Sequence, residues 1–170
     1  MKNLILTFLF CSTISLSCTS QNDIERRSNF PLIIKNETIK SCIKGKNLLF
    51  FSIADKWNLI IIENKDSYEE LYLKNDSLIN IRSVDKSNEI LKLAFNKEIY
   101  HKGFIGPGSY PQEVKYATGN DTYFCFVSKD NKIYGETKAT TIMFPSPINE
   151  SVYNYLLMTV LNYITHDPDR

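Results

Sequence analysis

The stretch Asn47-Leu48-Leu49-Phe50-Phe51-Ser52-Ile53-Ala54-Asp55-Lys56-Trp57-Asn58-Leu59-Ile60-Ile61-Ile62-Glu63 decides the fold class. Two nearly continuous apolar runs, rich in β-branched and aromatic residues, flank a short break. Runs of this length and composition predict strands, and their lack of alternation predicts strands covered on both faces. Ala54-Asp55-Lys56 suits a tight hairpin turn. The centre of the domain is therefore expected to be a buried antiparallel pair, residues 47–53 and 57–63.

The flanking segments extend this pair. Residues 38–43 alternate loosely and read as a β segment. Residues 68–73 and 78–84 make a second hairpin around Lys74-Asn75-Asp76-Ser77, with Leu78, Asn80, Arg82 and Val84 on one side and Ile79, Ile81 and Ser83 on the other. Residues 122–128 and 132–137 make a third around Lys129-Asp130-Asn131. Residues 138–144 add a further strand, ended by Pro145 and Pro147, which cannot donate to a ladder. Two segments have helical spacing. Residues 87–96 place Ile90, Leu93 and Ala94 on one face. Residues 149–165 align Val152, Tyr155, Leu156, Thr159, Val160, Tyr163 and Ile164. Asn149 suits the N-cap of the latter and Glu150 its positive dipole end. This order predicts an α+β fold: a predominantly antiparallel sheet with a short middle helix and a C-terminal helix packed on one face.

The first residues carry a different pattern. Lys2 precedes Leu4, Ile5, Leu6, Phe8, Leu9 and Phe10, and no further charge appears before Asp23. This is the layout of a secretory signal, too short for the roughly 20 apolar residues of a membrane span. Ile14-Ser15-Leu16-Ser17-Cys18 resembles the lipobox of bacterial lipoproteins, in the looser form found in Bacteroidota. Ser17 is the small residue required before the Cys, while Ser15 stands where most lipoboxes have Leu. The resemblance implies that residues 1–17 are a lipoprotein signal peptide. It implies that the Cys18 thiol is acylated and that the chain is held at a membrane of the cell envelope, the outer membrane being favoured. It leaves the periplasmic and surface-facing leaflets open. An ordinary cleaved signal is the alternative. Residues 18–29 then form the lipidated Cys and a polar tether, and residues 30–170 a single α+β domain.

Charge and cysteines narrow the chemistry. Lys2 is one of 20 basic residues, so the remainder balances the 19 acidic ones. A nucleic-acid partner, which calls for a basic excess or stripe, is not expected. Lys44-Gly45-Lys46 reads as a solvated turn. With Cys18 acylated, Cys42 and Cys125 are a candidate disulfide in an oxidising compartment. The alternative is two separate buried thiols. Cys and His spacings do not match a zinc site, and no cofactor motif is present.

The segment Gly103-Phe104-Ile105-Gly106-Pro107-Gly108-Ser109-Tyr110-Pro111 follows His101 and matches neither the phosphate-binding nor the dinucleotide pattern. It reads as a connecting loop or as a recognition loop using His101, Phe104 and Tyr110. Glu69 and Glu70 should point to opposite faces of their strand, so at most one enters a given pocket. Asp76-Ser77-Leu78 resembles the short O-glycosylation motif of Bacteroidota envelope proteins, which implies modification at Ser77. These features favour a non-enzymatic envelope lipoprotein that binds a protein or glycan. The alternatives are an envelope-acting hydrolase with a site near His101 and an inhibitor or immunity-type lipoprotein.

Overall fold

The computed structural model describes residues 34–100, 106, 117–143 and 145–166. Their element order is α1 (Glu37–Ile43), β1 (Leu48–Ile53), β2 (Trp57–Glu63), β3 (Ser67–Lys74), β4 (Ser77–Asp85), α2 (Glu89–Ala94), a 3-10 turn (Lys97–Ile99), β5 (Ala117–Val127), β6 (Ile133–Met143) and α3 (Glu150–Thr165). The six strands form one sheet in the order β4-β3-β2-β1-β5-β6. Every adjacent pair is antiparallel, giving the α+β class expected from the sequence.

The decisive stretch does form the centre of the sheet. Leu48 pairs with Ile62 and Ile53 with Trp57, and all six residues of β1 are buried. Lys56 N–H donates to Ile53 O across the turn at 3.2 Å. Ala54 and Asp55 have φ of 55° and 53°. Two left-handed central residues match the turn to the twist of the strands. Asn75 and Asp76, at φ 50° and 63°, repeat the arrangement between β3 and β4.

Period-two alternation then divides the sheet into two apolar faces. Leu49, Phe51, Leu59, Ile61, Tyr72, Phe124 and Phe126 face Leu91 and Ala94 of α2 and Val152, Leu156 and Val160 of α3. The two helices anticipated from the sequence thus share one face. Leu48, Phe50, Ile60, Ile62, Leu71, Leu73, Cys125 and Val127 form the opposite core with Ile34, Ile39 and Ile43.

That second layer corrects one expectation: residues 38–43 lie within helix α1 rather than a strand. Asn36 caps it, its Oδ1 accepting from the N–H groups of Thr38 and Ile39. Ile39 and Ile43, four residues apart, bury one face. A second correction concerns residues 138–144. Residues 138–143 do not form a further strand, because β6 runs unbroken from Ile133 to Met143, and Phe144 lies outside the described residues. The register shifts between Phe124 and Phe126, so Gly135 and Glu136 stand against one residue of β5. This bulge offsets the period-two alternation within β6 without ending the strand. Gly135 has φ +59°, and a Cβ there would lie 2.8 Å from Tyr100 Cδ1. Glycine is therefore required both by the backbone and by the packing of Tyr100.

Candidate functional site

The sheet face beneath α1 carries a groove of about 380 Å³. Ile34 and Ile43 line it from the α1 side, Leu48 from β1, Val127 from β5 and Ile133 from β6. Lys40, Lys44, Lys46 and Asn131 supply its polar lining. Gly45, with φ +72°, follows α1 in the turn that carries Lys44 and Lys46. Asn47 fixes the far end of this corner. Its Nδ2 donates to Glu63 Oε2 at 2.8 Å, and its Oδ1 accepts from Lys129 N–H at 2.8 Å. One side chain thus ties the start of β1 to β2 and to the β5–β6 turn. The groove is built on sheet ends and a helix held by its own cap, and it lies in the size range of small-ligand sites.

The lysines differ in their commitments. Lys40 Nζ lies 2.8 Å from Glu37 Oε1. Lys44 and Lys46 have no carboxylate partner among the described residues. The groove therefore combines an aliphatic wall with two ammonium groups that no carboxylate of the described residues pairs. Such a lining binds by burial and charge attraction.

A second polar assembly lies on the other face. Glu70 of β3 is fully buried. Tyr72 OH donates to its Oε2 at 2.6 Å, Arg82 Nε donates to the same oxygen at 2.7 Å, and Tyr155 OH donates to Oε1 at 2.6 Å. Arg82 Nη2 also lies 2.7 Å from Oε2. Glu70 and Arg82 are direct cross-strand partners, so hairpin register brings them together. Tyr163 stacks on Tyr72 and accepts a hydrogen bond from Asn80 Nδ2. Burial, and then the bond to Glu70, push the Tyr72 and Tyr155 hydroxyls well above the ordinary tyrosine value. The bond to Glu70 holds Arg82 more firmly protonated. Both carboxylate oxygens are occupied by donors, and the assembly clamps α3 to β3 and β4.

A third polar group lies on the groove side of the sheet. Tyr123 OH donates to Glu136 Oε1 at 2.6 Å, and both residues are buried. Cys125 is also buried there, and enclosure raises its thiol well above the ordinary value. Burial of this kind favours a packed, unreactive thiol.

The residues singled out from sequence are distributed as follows. Cys42 is exposed on α1 and Cys125 is enclosed in β5; both are free thiols rather than a bonded pair. Ser77 is exposed at the first residue of β4, beside the β3–β4 turn. Glu69 is partly exposed while Glu70 is buried, as opposite faces of a strand require. Cys18, His101, Phe104 and Tyr110 lie outside the described residues. Among the described residues, no group of three or more His, Cys, Asp or Glu side chains is placed to hold a metal ion.

Sequence reasoning missed the lysine-lined groove because it assigned α1 to a strand and the Lys44–Lys46 turn to solvent alone. It missed the pairing of Arg82 with Glu70, which emerges only from the register of β3 on β4. The Asn36-Glu37 pair, an N-cap followed by an acid, was the available signal for α1. No protein-family model matches the chain, and no curated protein or solved structure shows significant similarity to it.

Proposed function

We propose that this chain is a membrane-tethered, non-enzymatic binding domain, anchored through acylated Cys18 and receiving its ligand in the groove beneath α1. The carrying observation is the groove itself: an aliphatic wall of Ile34, Ile43, Leu48, Val127 and Ile133, with lysines at its polar margin. A surface of this kind gains free energy by removing apolar atoms from water. The chain supports the tether through its charged start, apolar stretch and the small residue before Cys18. The polar run after Cys18 supplies reach between membrane and domain.

Two measurements test the two parts. A neutral apolar fluorophore such as N-phenyl-1-naphthylamine should bind saturably, one per chain. Ile133→Asp, at the partly exposed β6 wall, should weaken that binding about tenfold while retaining the far-ultraviolet spectrum, because it places a charge against the apolar ligand. Unchanged probe affinity would remove the groove as the site. Metabolic fatty-acid labelling and membrane fractionation should both be lost in Cys18→Ala; retained labelling rejects the anchor.

A further inference from the structure

We propose that the groove selects a long-chain aliphatic carboxylate, a free fatty acid, with its tail against the groove wall and its carboxylate toward Lys44 and Lys46. This deepens, and rests on, the reading of the groove as the binding site. The wall side chains are Ile34, Ile43, Leu48, Val127 and Ile133, and among the described residues no aromatic ring lines the groove. Ring-shaped ligands such as sugars or nucleobases would find no stacking platform there. A flexible alkyl chain can follow the branched surface and bury its methylenes.

The head group follows from charge. Lys40 is already engaged by Glu37, whereas Lys44 and Lys46 are not paired with a carboxylate of the described residues. The C-terminal end of α1 contributes at most about half a negative charge to this corner. Two full ammonium charges outweigh it, so an anionic head is favoured over a neutral or cationic one.

The test compares dodecanoate with dodecyltrimethylammonium, which has the same chain length and the opposite charge. Both are titrated calorimetrically, below micellisation, into the full chain carrying Cys18→Ala, where no acyl group on that residue competes. Dodecanoate should bind one per chain and about three- to tenfold more tightly at low salt, the effect expected of one or two exposed ion pairs. Lys44→Glu with Lys46→Glu should reverse the preference. Lys44→Gln with Lys46→Gln, which introduces no repulsion, should abolish it and serves if charge reversal perturbs folding. Equal binding of the two amphiphiles by the Cys18→Ala chain, or a preference that survives the lysine substitutions, overturns the carboxylate assignment and leaves an apolar groove. Binding of neither amphiphile, together with failure of the neutral probe, removes the groove reading as well. Capture of phosphatidylglycerol vesicles or an acidic peptide without dodecanoate binding also overturns the fatty-acid assignment.

Discussion

Glu70 shows how one residue's environment separates support from recognition. Its carboxylate accepts from two tyrosine hydroxyls and from Arg82, and it has no exposed surface. Glutamine is nearly the same shape but presents an amide that donates where the carboxylate accepts. Glu70→Gln should therefore leave a tyrosine or the Arg82 guanidinium without its acceptor and destabilise the fold by about 2–3 kcal/mol. Urea unfolding at neutral pH measures this. Loss of stability with probe binding in the groove unchanged would assign Glu70 to clamping α3. A variant as stable as the native chain would show that the network contributes nothing net. Half of this arrangement was legible: adjacent Glu69 and Glu70 must face opposite ways on a strand. The other half was not, because Arg82 meets Glu70 only in one register of the hairpin, and the ladder shifts between Tyr72 and Leu73.

At the scale of elements, long patterned segments were readable and short or interrupted ones were not. The central hairpin and α3 were clear because their burial repeats over several turns or rungs. Seven-residue α1 offers only Ile39 and Ile43 as a buried pair, too few positions to separate a helical from an alternating pattern. Residues 132–137 and 138–144 read as two segments in the sequence, although β6 is continuous from Ile133 to Met143. The groove was invisible for the same reason, since its walls come from α1 and from the ends of three strands. β4 raises a separate consequence. Among the described residues it is an edge strand, and Leu78, Ile79 and Ile81 are 44%, 47% and 52% exposed. Edges with exposed apolar residues invite pairing with another chain. Ile79→Lys with Ile81→Lys should raise the protein concentration at which light scattering begins, while changing stability by no more than about 1 kcal/mol. An unchanged scattering threshold would show that association does not run through this edge.

The whole molecule carries a pH dependence that follows from where its tyrosines lie. Burial raises the hydroxyls of Tyr68, Tyr72, Tyr100 and Tyr155, and Glu70 adds to the effect at Tyr72 and Tyr155. In the unfolded chain each would ionise near the ordinary value of 10.0. The folded state therefore holds these protons more tightly than the unfolded state. Their contribution to stability is complete below pH 10 and is lost as pH rises above it. Each raised tyrosine contributes at most about 1.4 kcal/mol of loss per pH unit in that range. The urea midpoint should accordingly be insensitive to these groups between pH 7 and 9 and fall steeply above 10, with their tyrosinate absorbance appearing together with unfolding. Tyr155→Phe separates this linkage from general alkaline damage. At neutral pH it removes a donor from Glu70 and lowers stability, yet it also deletes one ionising group and should make the decline above pH 10 shallower. An equally steep decline in the variant would exclude Tyr155 from the linkage, and tyrosinate absorbance from these residues in the folded state would contradict their protected placement between the sheet and its helices.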